Sequence, residues 1–136
     1  MIVILDTNVL LSAALRDKLP ERVVIFVASA PDCRWLATPQ ILDEYVEVLR
    51  RPKFGFDEEI LAQWLSLLER CTLLECEPPS LPDMLRDPKD VPFLAAAVSG
   101  AADYLITGDR DLLDVRESLP IQVVTVAEFA VIAGIM

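Results

Sequence analysis

The sequence predicts an α/β fold, a parallel sheet covered by helices on both faces, and three observations carry the prediction. Ile2 to Leu5 is an unbroken β-branched and aliphatic run without alternation, the pattern of a strand buried on both faces. Strand-like runs then alternate with helical stretches along the chain, which calls for right-handed crossovers onto one sheet. The 136 residues, at roughly 100–200 per domain, make a single domain spanning 1–136 with one core.

The elements follow in order. After the strand ending at Leu5, Asn8 to Leu15 reads as a helix, Arg16 to Glu21 as a polar break, and the stretch through Val23, Val24 and Val27 as a second helix. Arg34 to Ala37 is a short strand. Thr38-Pro39 is a helix start, a capping hydroxyl before a proline at the first helical position, and the helix runs to about Arg51 before Pro52 stops it. Asp57 to Arg70 carries Ile60, Leu61, Trp64, Leu65 and Leu68 at helical spacing. Cys71 to Leu74 is a strand, and Pro78, Pro79 and Pro82 mark a crossover loop. A helix opened by Asp87-Pro-Lys-Asp90 ends at Gly100. Tyr104 to Thr107 and Ile121 to Val124 are strands, and Ala127 to Ile132 is the closing helix.

Composition excludes much. With no histidine, every mechanism built on imidazole is removed, including Ser-His-Asp and Cys-His nucleophiles and His-ligated zinc. The 22 acidic against 12 basic residues give a net charge of −10, the opposite of a nonspecific nucleic-acid coat. Cys33, Cys71 and Cys76 form no CxxC pair and read as small core residues in a reducing compartment. No uncharged stretch approaches the ~18 residues of a membrane span, so a cytoplasmic protein without a membrane anchor is expected. A hydrophobic fraction of 54% points to a homodimer, and to a partner helix covering apolar surface.

Chemistry must therefore use carboxylates. Ligands bind outside the carboxyl ends of strands in an open parallel sheet, and two strands here end in acid, at Asp6 and at Gly108-Asp109. Asp90 is a third candidate. Pro92 lacks an N–H and fits best if the helix begins near Val91, leaving Asp90 at the cap, where it could equally be a plain capping acid, as could Asp87. At ~100° per residue Glu44 lies about 40° from Val48, at the border of an apolar arc of Ile41, Leu42, Tyr45, Val46, Val48 and Leu49. It suits a pocket rim or a snorkelling surface position, while Asp43 and Glu47 fall inside the polar arc and face solvent. Asp111 fits either a supporting acid or the first turn of a short helix and ranks below Asp109. Converging carboxylates without histidine make a hard oxygen site for Mg²⁺ or Mn²⁺.

Four segments then carry a family resemblance: LDTNVLLSA with Asp6, ILDEYVEVLRRPKF with Glu44, RDPKDVPFLAAAV with Asp90, and ADYLITGDRDLL with Asp109 and Asp111. In this order, over nearly the whole chain, they resemble the PIN-domain ribonucleases, particularly the VapC-like toxins of prokaryotic toxin–antitoxin pairs. The resemblance implies a three-layer α/β/α sandwich with a central parallel sheet, binding Mg²⁺ or Mn²⁺ through Asp6, Glu44, Asp90 and Asp109, with Thr7 or Asn8 orienting the Asp6 carboxylate. It implies metal-assisted hydrolysis of RNA to 5′-phosphate and 3′-hydroxyl products, and a cognate antitoxin as partner. The chain departs from the pattern at Val91, where many members carry a second acid. RNA approach needs positive charge, for which Arg50, Arg51, Lys53, Arg86, Lys89 and Arg110 are candidates, each of which could also be plain solvated surface.

Other readings of strand-end acids fit less well. A phospho-receiver domain needs a phosphorylatable Asp on a central strand and a Lys after a late one, and the strands at Trp35, Leu73 and Val123 supply neither. A haloacid-dehalogenase-like phosphatase needs a second Asp two residues after the first, where Asn8 stands. The remaining alternatives are a PIN-like protein of RNA processing and one that only binds.

Overall fold

β1 (Ile2–Leu5), β2 (Arg34–Ala37), β3 (Thr72–Leu73), β4 (Tyr104–Ile106) and β5 (Val123–Val124) form one five-stranded sheet in the order β3-β2-β1-β4-β5. Every pairing is parallel. The computed structural model describes residues 1–73 and 90–135. The proline-rich stretch with Pro78, Pro79 and Pro82 lies outside the described residues, as do Leu74, Cys76, Arg86, Asp87 and Lys89.

The strand order places a topological switch at the centre. From β1 the chain first builds outward through β2 and β3, then returns to lay β4 on the other side of β1. Leu5 pairs with Ile106, and the Asp6 N–H continues the ladder by donating to the Ile106 carbonyl at 2.9 Å. Asp6 and Thr107 therefore leave the sheet side by side, at the crevice where such folds bind ligands.

The helices are α1 (Thr7–Ala14), α2 (Lys18–Ser29), α3 (Pro39–Leu49), α4 (Glu58–Leu68), α5 (Val91–Ser99), α6 (Arg110–Asp114) and α7 (Val126–Ala133). They complete the expected α/β/α sandwich. Their starts follow the sequence signals. Thr38 accepts from the Ile41 N–H at 3.1 Å ahead of Pro39, Asp57 accepts from the Ile60 N–H at 2.8 Å, and Thr125 and Glu128 form a reciprocal capping box.

Two boundaries differ from expectation. α2 begins at Lys18, inside the expected polar break, because Pro20 falls in the first turn, where its missing N–H leaves no helical bond unmade. α3 stops at Leu49, and Pro52 opens a separate 3₁₀ turn, Pro52–Phe54. Gly55 closes that turn at φ +62°, a conformation that costs other residues strain.

The core is built by β1 and β4 against α5, with Phe93, Leu94, Leu105 and Ile106 fully buried. On α2 and α7, Phe26 meets Phe129 edge-on at 6.1 Å, and Tyr104 meets the same ring at 6.0 Å. Cys33 and Cys71 are unpaired and pack against this core, where burial pushes the Cys71 thiol up to about 12. Among the described residues no helix is long and apolar enough to cross a membrane.

Candidate metal centre

Three helix starts converge at the switch point. Asp6 precedes α1, Asp90 precedes α5 and Asp109 precedes α6, and each offers a carboxylate oxygen within 4.8 Å of the others. Asp6 is 6% exposed and Asp90 5%. Neither carboxylate caps its own helix, so the capping role that Asp90 could have played is not the one it fills. Asp109 does cap, its Oδ1 accepting from the Asp111 N–H at 2.9 Å.

Two hydroxyls brace the cluster. Thr107, fully buried at the end of β4, donates to Asp6 Oδ2 at 2.6 Å, and its oxygen accepts from the Asp109 N–H at 3.0 Å. One side chain thus orients one acid and fixes the turn carrying another. Thr7 donates its hydroxyl to Glu44 Oε2, and its backbone N–H serves Asp6. The hydroxyl on Asp6 is therefore that of Thr107, while Thr7 serves Asp6 through its backbone N–H and turns its own hydroxyl to Glu44 on α3. Asn8 is exposed on the cleft wall.

Burial pushes the Asp6 carboxyl above its ordinary value, and the nearby charges of Asp109 and Glu44 push the same way. The hydrogen bonds from Thr107 and the Thr7 N–H oppose the shift but do not cancel it. Glu44 is half-buried at the edge of α3, as its border position predicts. It stands outside the tight group of three but is tied to it through Thr7. Tyr45 next to it is fully buried and donates its hydroxyl to the Leu5 carbonyl, which pins α3 to the strand end that carries Asp6.

These residues line a cleft of about 320 Å³, with Val48 and Phe93 as its apolar wall. Asp43 is exposed, as expected. Glu47 is exposed too, yet it lines the cleft together with Arg51, with which it forms a two-nitrogen fork at 2.8 and 3.1 Å. A solvent-facing arc is thus not remote from the site, because the cleft itself opens to solvent. Arg50, Lys53 and Arg110 are exposed outside the cleft wall, Lys53 lying 5.1 Å from the Phe54 ring centroid. Asp111 is exposed in the first turn of α6.

The donor set fits a divalent cation. It offers oxygen only, without imidazole or thiolate, and gathers buried like charges that a hard cation would neutralise. Asp6, Asp90 and Asp109 have the spacing to share one ion, and Glu44 stands beside them.

A carboxylate-lined crevice at the switch point of a parallel α/β/α sandwich defines the class. A PIN domain family model matches residues 2–111, and the chain belongs to that family, whose members are generally nucleases. No curated protein matches it in sequence. Among solved structures it is similar to VapBC2 from Rickettsia felis bound to a DNA fragment from their promoter, at 14% identity and a TM-score of 0.59 over 92% of this chain and 98% of that one. It is likewise similar to PAE2754 from Pyrobaculum aerophilum, at 17% identity and a TM-score of 0.59 over 98% and 90%. VapBC-1 from nontypeable Haemophilus influenzae matches at 18% identity and a TM-score of 0.58 over 93% and 99%.

Sequence reasoning missed Thr107 and, for the solvent-facing Glu47, its place on the cleft wall. A hydroxyl at a strand end two residues before an acid was the available signal for Thr107.

Proposed function

We propose that this PIN domain is a Mg²⁺- or Mn²⁺-dependent endoribonuclease and the toxin of a type II toxin–antitoxin pair. The observation that carries the reading is the convergence of Asp6, Asp90 and Asp109, with two of the three buried and not spent on capping. These three would hold the ion, with Glu44 beside them. A divalent ion bound there supplies Lewis acidity to a water and to the phosphate oxygens of RNA.

The chain's own residues do the positioning. Thr107 holds the Asp6 carboxylate, and its acceptor contact keeps Asp109 turned toward it. Thr7 holds Glu44 at the cleft edge, where its carboxylate is placed to take a proton from an attacking water.

The toxin reading draws on the VapBC complexes that share the fold. An apolar groove between α2 and α4, with Ile25, Ile60, Trp64 and Leu67 in its wall, is the surface on which we place an antitoxin helix. Val131 and Ile132, exposed on α7, are assigned to a homodimer contact.

Cleavage of a labelled single-stranded RNA tests the nuclease reading. We expect cleavage with millimolar Mn²⁺ or Mg²⁺ and none with EDTA, whereas cleavage that survives EDTA defeats the metal mechanism. Light scattering over a tenfold dilution, with and without the product of the adjacent gene, tests the two contacts.

A further inference from the structure

Among the described residues, five acids line the cleft, Asp6, Glu44, Glu47, Asp90 and Asp109, and Arg51 is the one basic side chain in its wall. A polyanion entering this cleft therefore meets one cation supplied by the described chain. Where that cation sits is set by α3. Glu44, Glu47, Val48 and Arg51 follow the i, i+3, i+4, i+7 spacing that places residues on one helical stripe, and all four line the cleft.

Arg51 is engaged, but in an exchangeable way. Its Nε and one terminal nitrogen reach the two oxygens of Glu47 at 3.1 and 2.8 Å, the fork a guanidinium uses equally for two oxygens of a phosphate. Both side chains are exposed, at 44% and 59%, and exposed pairs of this spacing contribute little stability. Glu47 therefore keeps the guanidinium extended along the cleft wall without locking it there.

Resting on the nuclease reading above, we propose that Glu47 is a placeholder for substrate phosphate. Arg51 leaves Glu47 to bind a backbone phosphate of the RNA through the same fork, and Glu47 sets substrate affinity by competing for it. No covalent step is involved. The exchange replaces a carboxylate by a phosphodiester on the same two nitrogens.

A double-mutant cycle tests this on a fluorescein-labelled single-stranded RNA in Mn²⁺, using Glu47→Gln, Arg51→Ala and the pair together. Arg51→Ala is expected to raise KM about tenfold with kcat within about twofold, and Glu47→Gln to lower KM about threefold. In the Arg51→Ala background Glu47→Gln is expected to leave KM unchanged, since its gain acts through the freed guanidinium. Arg51→Lys, which keeps the charge but not the fork, should fall between wild type and Arg51→Ala.

An equal KM gain from Glu47→Gln with and without Arg51 would mean that only bulk negative charge was removed, and would overturn the proposal. So would an unchanged KM in Arg51→Ala, or a raised KM in Glu47→Gln. A wild type that cleaves no RNA with either metal sinks the nuclease reading and this proposal with it. A wild type that cleaves while the cycle is additive sinks the proposal alone. Both residues are exposed, so the variants should fold, and unchanged melting temperatures check this.

Discussion

Every α-helix among the described residues starts behind an aspartate or a threonine, yet two of the three starts at the cleft differ from the capped starts elsewhere. Away from the cleft, Thr38, Asp57 and Thr125 each accept from the N–H three residues on. At the cleft, Asp109 accepts from the N–H two residues on, whereas Asp6 and Asp90 make no cap bond although they are buried. Asp17 also leaves its helix uncapped, but it is exposed to water and stands apart from the acid cluster. A missing cap forgoes about 1 kcal/mol, and burying the carboxylate adds a desolvation cost. An acid that is buried, makes no N-cap bond and stands within 4.8 Å of two other carboxylates is held for something besides its helix, and that combination sets Asp6 and Asp90 apart where residue type alone does not.

The largest expected effect comes from exchanging an acid of each set. Asp6→Asn should cut RNA cleavage by more than about 10²-fold, while Asp57→Ala should leave it unchanged and cost about 1 kcal/mol of stability. Single-turnover cleavage and thermal melts check both. Loss of cleavage in Asp57→Ala, at a temperature where the variant is folded, would erase the distinction.

Within α3 the same contrast can be sharpened. Glu44→Gln should lower cleavage about 10–100-fold and Asp43→Asn by less than about twofold. Equal rates would remove Glu44 from the site. Thr107→Val keeps the shape but deprives Asp6 of a donor and the Asp109 N–H of an acceptor, so about a tenfold loss of cleavage and about 1–2 kcal/mol of stability are expected. A Val variant with wild-type cleavage and melting would leave Thr107 as mere packing.

The smallest effect is one of pH. Asp6 is harder to ionise folded than unfolded, so between its ordinary and its raised value the native state binds more protons. Stability then falls as pH rises through that window, and the loss is complete above the folded value. Without metal, Asp6→Asn should therefore melt higher than wild type at neutral pH, and the gap should narrow as pH falls toward about 4. Millimolar Mg²⁺ should raise the wild-type melting temperature and leave Asp6→Asn nearly unmoved. A gap independent of pH would assign the difference to something other than the buried carboxylate.

Much of the candidate site was legible because its acids coincide with local punctuation. Asp6 and Asp109 follow hydrophobic strands, and Asp90 stands before a Pro-marked helix start. Glu44 falls at a border because its neighbours on α3 fill an arc. Thr107 carries only a weak signal, a hydroxyl two residues before Asp109, since a threonine closing Tyr104 to Ile106 looks like one more strand residue until Asp6 is beside it. Glu47 faces solvent, as its polar arc predicts, but a helical wheel gives only the direction away from the core and carries no information on what stands across an open cleft.

The division has a physical basis. Strand and helix identity, caps, and the absence of imidazole chemistry follow from residues within about one helical turn of each other, and these the sequence alone determined. Which acids meet was decided by the sheet. Thr107 reaches Asp6 across 101 residues and Thr7 reaches Glu44 across 37, because the chain turns back at β1 and lays β4 against it in register. The same placement decided that, among the described residues, two of the seven α-helix starts would hold a buried carboxylate without an N-cap bond, since only the packed layers remove those carboxylates from water.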